Sequence, residues 1–289
     1  MPEDEIHCGW YVTLLVDVLG QGEAISHLAF LPQTEEQKTA FFQAIKNSAG
    51  KVDLVRRLIT QFFESFLHTP LSIPTSELTD EQRVQCDILN DYRIGTQMFS
   101  DTVIAYSPLS TGAGRVSTKG VYAMVFAAAS TLILCLSKEV ALRGGIDVGV
   151  AMELHDNDLY GPALMTVDYL EKKVAQWPRI VVSKGLMQFL RQMMRTPCAD
   201  LVDQMNCKVA ETCLSIIAPD VDGVAIIDYL GDAFRRTFGS VDQRSIVEAG
   251  LAFARREHEQ FSRSGNYKLA LRYGLLRQYY EERMTRWTA

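Results

Sequence analysis

The chain has 289 residues, 47% of them hydrophobic and 22% charged, with a formal net charge of −6. That is enough for one large domain, or a domain with a substantial appendage, of ordinary globular composition. The acidic balance does not indicate a nucleic-acid partner, although it leaves room for a local basic pocket.

The N-terminus, "MPEDEI", is acidic and reads as no signal peptide, so the cytoplasm is the default location. Residues 10–16, "WYVTLLV", form a short β-rich run that ends at Asp17 and the loop "VLGQG". Residues 35–49 and 52–68 predict two helices, the second with an apolar stripe. The segment "TPLSIPTSELTDEQR" is the most loop-like in the chain. "DYRIGTQMF" and "SDTVIAYSP" then predict a β-hairpin turning near Ser100 and Asp101, followed by the loop "STGAGRVSTKG". The apolar run 121–136 falls short of the roughly 20 residues of a membrane span and is read as a buried helix, with no membrane partner. "VALRGGIDVGVAMEL" alternates like a strand, with glycines that admit close approach to its backbone. "NDLYG" is a turn, Pro162 opens a helix at a position where its missing N–H is harmless, and "PRIVVS" is a further strand. Beyond residue 184 the pattern is mostly helical apart from "GVAIIDYL", and an amphipathic helix, "YKLALRYGLLRQYYEERMTRW", closes the chain. Strands mixed with covering helices predict an α+β layer.

The six cysteines (Cys8, Cys86, Cys135, Cys198, Cys207 and Cys213) form no Cys-x-x-Cys pair, which argues against structural zinc. His7, His27, His68, His155 and His258 are scattered and suggest no site. Two acids are better placed. Asp17 ends a strand and Asp101 sits at a hairpin tip; if that strand lies beside the hairpin, both carboxylates project to one edge. Two acids held close repel, and a divalent cation such as magnesium or manganese relieves the repulsion and shares its coordination with phosphates. The glycine-bearing loop after Asp17 offers backbone N–H groups to a phosphate but lacks the Lys-Ser/Thr ending of a Walker motif. The plainer alternatives are a helix-capping role for Asp17 and a backbone-satisfied turn acid at Asp101.

Four segments in order resemble the class III nucleotidyl cyclases: "LLVDVLGQG", "MFSDTVIAY", "LRGGIDVGVA" and "DLYGPALMTVDYLEKKV", spanning roughly residues 10–183. Within that superfamily the "FSD" hairpin, "RGGI" and the run from "YGPAL" to "PRIVVS" are most similar to the pyrimidine cyclases of Pycsar antiphage defence. The resemblance implies a cyclase core over 1–183 with a mostly helical extension over 184–289 packed on it, and a homodimer with active sites at the interface. It implies a nucleoside triphosphate substrate, UTP before CTP, converted to the 3′,5′-cyclic nucleotide and pyrophosphate, and a separate effector that responds to the product. Two divalent ions, Mn²⁺ or Mg²⁺, would be held by Asp17, Asp101 and the Val18 carbonyl, one activating the ribose 3′-hydroxyl and one holding the triphosphate. Leu19, Gly20 and Gln21 would meet phosphate; Gln97 and Asp158 would read the base. Arg143 and Arg179 are candidate phosphate ligands because arginine presents a fork of donors, the alternative for each being an internal salt bridge. Gln97 as an ordinary surface residue and Asp158 as a turn acid also remain open.

The purine cyclases carry an Asn-x-x-x-Arg pair on the helix after the turn; here Met165 and Tyr169 stand in those positions. The interval from Asp17 to Asp101 is also longer than in compact cyclase domains. A degenerate cyclase fold, acting as a nucleotide sensor or dimerisation module, is the competing reading. "LRGGIDV" is a poor match to the Gly-Gly-Asp-Glu-Phe signature of diguanylate cyclases, because an isoleucine displaces the acid and no second acid follows.

Overall fold

The computed structural model describes residues 7–21, 30–69, 79–80, 92–110, 115–154, 158–197, 199–238, 243–285 and 287. Most of the loop-like segment after residue 69, the tip of the loop after Ser110, His27, His155, Cys86 and Cys198 lie outside the described residues. Strands β1 (His7–Val18), β2 (Gly95–Phe99), β3 (Thr102–Pro108), β4 (Leu142–Glu153), β5 (Leu159–Tyr160), β6 (Ile180–Val182), β7 (Ile217–Pro219) and β8 (Ala225–Ile227) form one mixed sheet. Its order is β2-β3-β1-β4-β6-β8-β7, with β5 paired to β4. Among the described strands only the β4–β6 pair is parallel. The α+β expectation is met, and residues beyond 184 supply two strands of the same sheet.

The helices are α1 (Glu35–Leu67), α2 (Lys119–Ser137), α3 (Pro162–Tyr169), α4 (Lys184–Arg195), α5 (Leu201–Ser215), α6 (Asp232–Thr237), α7 (Gln243–Arg263) and α8 (Tyr267–Met284). Helix α1 replaces the two predicted helices. Gly50 costs an exposed helix about 1 kcal/mol relative to alanine, which does not outweigh the packing on its far side. Val52, Val55, Ile59, Phe63 and Leu67 repeat at helical spacing and are buried. At the other end Thr34 accepts from the Gln37 N–H while the Gln37 side chain returns to the Thr34 N–H, a reciprocal cap.

The alternation of β1 sorts the sheet into two faces. Val12, Leu14, Val16 and Val18, with Val103, Ala105, Leu142, Ile146 and Val148, point into the main core under α1 and α2. Helix α2 meets the length and composition of a membrane span, but 89% of its most apolar window is buried inside the protein, against the sheet, α1, α5 and α7. Tyr11, Leu15 and Asp17, with Thr102, Tyr106 and Arg143, share the opposite face, which α3 partly covers.

Pro162 occupies the first turn of α3, as its missing N–H predicts. The helix then widens into a π turn, Leu170–Val174, closed by the Ala175 N–H on the Leu170 carbonyl at 2.7 Å. Of the two glycines of "RGGI", Gly144 admits the backbone of β1 at Leu15 and Gly145 admits this helix. A Cβ on Gly145 would lie 2.6 Å from the Leu170 Cβ and 2.9 Å from the Val167 carbonyl oxygen. Gly145→Ala is therefore expected to destabilise the fold by about 1–3 kcal/mol, the usual scale of overpacking, read as a lower midpoint in urea unfolding; an unchanged midpoint would show that α3 is free to move off the sheet.

Candidate active site at the end of strands β1 and β4

In the antiparallel ladder Asp17 stands opposite Thr102 on one side and Arg143 on the other. The hairpin carrying Asp101 turns through two residues, Ser100 and Asp101, and Ser100 takes the left-handed φ of 57° that such a tight reversal demands. The Val18 N–H donates to the Asp101 carbonyl at 3.0 Å, which seats the turn on the end of β1. The Leu19 N–H donates to the Ala141 carbonyl at 2.9 Å, holding the start of the following loop against the approach to β4. Asp17 and Asp101 thus come together from positions far apart in the chain, as the sequence predicts.

The Asp17 carboxylate accepts from the Thr102 hydroxyl at 3.4 Å and from Arg143 Nη2 at 3.4 Å. Both contacts are long. Arg143 is shared: its Nε lies 2.5 Å from Glu171 Oε1, in the π turn, although neither atom is aligned for a hydrogen bond. Two acids, Asp17 and Glu171, therefore share one guanidinium, and the charge of Asp101 acts on Asp17. The Asp17 carboxyl is pushed above its ordinary pKa, first by burial and then by the charge of Asp101, with Arg143 and Thr102 opposing. Glu171 is pushed up mainly by burial; Arg143 opposes and Asp17 adds to the rise. Among the described residues no group of three or more His, Cys, Asp or Glu side chains forms a metal cage. The pair Asp17 and Asp101 nevertheless fits a hard divalent ion that draws its remaining oxygens from water and substrate. Its charge is incompletely neutralised, and the elevation of Asp17 is what a nearby cation would reverse.

The predicted phosphate loop divides by residue. Gly20 has φ 82° and open space where a Cβ would sit, so glycine suits the backbone there. Leu19 is half-buried. Gln21 turns inward: it is buried, its Oε1 has no hydrogen-bond partner, and it lines a cavity of about 410 Å³ together with Ser100, Asp101 and residues of α1. The last glycine of the loop lies outside the described residues.

Gln97 Nε2 donates to Asp158 Oδ1 at 2.7 Å, so the two predicted base readers meet. Gln97 pairs with Ile104 on the ladder, which places it on the Asp17 face of the sheet, two strands away. Met165 and Tyr169, at the positions of the missing purine-cyclase pair, are 73% and 60% exposed on α3. Arg179 takes the second of its two alternatives: it is buried, paired with Asp220 and with Asp222 at 2.7 Å, and lies over the Trp177 ring, an internal salt bridge.

Sequence reading missed Thr102 and Glu171. Glu171 sits in "LEKKV", which reads as a solvated helix face; only the π turn and the tertiary contact with Arg143 give it a role. It also missed a second acid on this face, Glu153, which pairs with Arg93 at 2.5 Å and accepts from the Tyr106 hydroxyl at 3.4 Å. A larger groove, about 1140 Å³, lies between α3 and α4, but its buried acid, Asp147, is already bound by the Ser183 hydroxyl at the start of α4.

No known protein family matches the chain, and no curated protein matches it significantly.

The linkage at Asp17 has a definite sign. A carboxyl whose folded pKa is raised binds a proton more readily in the folded state than in the unfolded one. Its effect on stability is a loss as pH rises from the ordinary aspartate value through the raised one. Asp101→Asn removes the second cause of the rise. In chelator it is expected to bring the Asp17 pKa down and to raise the melting temperature by about 1–4 °C. The same variant is expected to lose the stabilisation that the wild type gains from added Mn²⁺. Carboxylate titration by NMR and thermal melts with and without Mn²⁺ check this; an unchanged Asp17 titration would show that the two acids are not coupled.

Proposed function

We propose that the chain is a pyrimidine nucleotide cyclase, converting UTP, and CTP less well, to the 3′,5′-cyclic monophosphate and pyrophosphate. The observation that carries this reading is the convergence of Asp17 and Asp101 at one strand end, seated by the Val18–Asp101 backbone bond and left short of positive charge. Asp17, Asp101 and the Val18 carbonyl would hold two divalent ions, which supply activation of the 3′-hydroxyl and neutralisation of the triphosphate. In the reaction the ribose 3′ oxygen bonds to the α-phosphorus and the bond from that phosphorus to the β-phosphate oxygen breaks. Pyrophosphate leaves with the electron pair, and the hydroxyl proton passes to water. The protein's part is to position and to stabilise charge. Arg143, drawn between Asp17 and Glu171, stands ready to exchange a carboxylate for a phosphate. The Gln97 amide, held by Asp158 through its N–H, keeps its carbonyl free to accept from a base edge.

A homodimer with shared sites is favoured by exposed apolar side chains on the hairpin and α3: Met98, Phe99, Met165 and Tyr169. The place of the product, as a signal to a separate effector in antiphage defence, rests on the sequence resemblance. The exposed Met165 and Tyr169 favour the second reading, a catalytically silent nucleotide sensor.

Incubation of the purified protein with each of the four NTPs and Mn²⁺, with products resolved by mass spectrometry, decides between them. Cyclic UMP as main product is expected. No cyclic product from any NTP would leave the sensor, and cyclic AMP or GMP as main product would remove the pyrimidine assignment alone. Asp17→Ala and Asp101→Ala are each expected to cut turnover by about 1000-fold or more, the scale of losing a preorganised electrostatic group, while circular dichroism stays unchanged.

A further inference from the structure

The helix that packs on the Asp17 face carries an acid at a core position. Ala163, Val167 and Glu171 follow one another at intervals of four, and all three are buried. A carboxylate on a buried stripe costs several kcal/mol unless it is paired, and an apolar residue there would carry no such cost. The flanking charges Asp168 and Lys172 answer each other at 2.6 Å. Glu171 is directed instead at Arg143, whose Nε lies 2.5 Å from its Oε1. It stands in the π turn Leu170–Val174, and such single wide turns recur at functional sites.

By its place in the sheet, Arg143 has a different natural partner. It faces Asp17 directly across the β1–β4 ladder, and opposite charges so placed stabilise a sheet when they close on each other. These two do not close. Arg143 Nη2 stays 3.4 Å from Asp17 Oδ2, beyond the roughly 2.7–2.9 Å of a charge-assisted bond. The guanidinium is turned with its Nε toward Glu171, yet Arg143 Nε and Glu171 Oε1 are both buried without an aligned hydrogen bond. The Arg179 bridge differs, since its Nη2 donates to Asp222 at 2.7 Å. The contact with Glu171 thus supplies charge enough to draw Arg143 aside, without the hydrogen bonds that would lock it there. A guanidinium closed on Asp17 would take up the oxygens that a divalent ion needs.

We propose that Glu171 is a positioning residue that holds Arg143 off Asp17 and so keeps the Asp17 carboxylate open to a divalent ion. This rests on the reading of Asp17 and Asp101 as a metal pair and deepens it. Arg143 and the ion are rival cations for one carboxylate, and Glu171 decides the contest by giving Arg143 a second acid. Because that second contact is poorly aligned, it is also cheap to give up when a phosphate group arrives. Glu171 then acts on the metal only through Arg143, which separates it from a metal ligand and from a mere anchor of the π turn.

A double-mutant cycle on Mn²⁺ affinity, measured by titration calorimetry without nucleotide, tests the hold apart from turnover. Glu171→Gln is expected to weaken Mn²⁺ binding about tenfold, within the range of coupling between residues in contact, because Arg143 then closes on Asp17. Arg143→Gln is expected to tighten it. The double variant, which leaves two neutral amides in place of the pair, is expected to bind Mn²⁺ as Arg143→Gln does. A double variant that binds more weakly than Arg143→Gln would overturn the hold, because Glu171 would then act on the ion directly. That comparison decides even where Glu171→Gln alone fails to fold. Unaltered Mn²⁺ binding by a folded Glu171→Gln would overturn it too, leaving Glu171 as an anchor of the π turn. Absence of Mn²⁺ binding by the wild type would overturn the hold together with the metal pair. Coupled Mn²⁺ binding without cyclisation of any NTP would support the hold while removing the cyclase. Cyclisation with Mn²⁺ binding independent of Glu171 would do the reverse.

Discussion

Strand β1 lies between β3 and β4, and its register decides what stands beside Asp17. With Asp17 opposite Thr102 and Arg143, the other face of the strand delivers Val12, Leu14, Val16 and Val18 to the core. A slip of one residue would turn those four valines and leucines toward α3 and drive Asp17 under α2. The cost of exposing that apolar set is several kcal/mol at about 1.5–3 kcal/mol for each side chain, far more than any contact that Asp17 itself makes. The core, and not the charges, therefore fixes where the acid stands. The acids can then be held in mutual repulsion, because nothing in the site has to be favourable for the site to form.

The contrast between Arg143 and Arg179 shows how the same side chain takes opposite roles. Arg179 faces two acids in the loop between β7 and β8, Asp220 and Asp222, with Trp177 beneath it, so its charge is fully answered within the fold. Arg143 faces Asp17 and Glu171 at poor hydrogen-bond geometry, with the charge of Asp101 added through Asp17. A matched bridge is structural, and removal of either partner would strand a buried charge. A poorly paired cluster, with acids set against acids, has unspent capacity to bind an ion.

Much of the local structure was legible because short-range rules govern it. The alternation of β1 and β4, the hairpin around Ser100 and the entry of Pro162 into α3 all depend on neighbours in sequence. The single helix across Gly50 was not legible, since a glycine signals a break and only tertiary packing of Val52, Val55 and Ile59 overrides it. Strand β7 is three residues long, too short for any period to appear. In the site, Asp17 and Asp101 stood out because an acid at the end of an apolar strand or at a hairpin tip is conspicuous. Glu171 did not, because it lies in a charged helical segment that reads as solvent-facing. Its significance depends on its contact with Arg143 on another element, which no local pattern encodes.

The same dependence on contacts between distant elements governs the C-terminal helices. Asp228, just past β8, accepts from the Tyr279 hydroxyl and from Arg283, both at 2.7 Å. The Trp287 indole donates to the Leu230 carbonyl at 2.8 Å. These bonds anchor the far end of α8 to the end of the sheet, while Tyr273 locks its near half onto α7. Held at both ends, α8 cannot leave the sheet without breaking buried hydrogen bonds, each of which costs about 1–3 kcal/mol when a partner is left unsatisfied. The place of the helical layer is therefore set by its own buried bonds, just as the place of the acid pair is set by the register of β1.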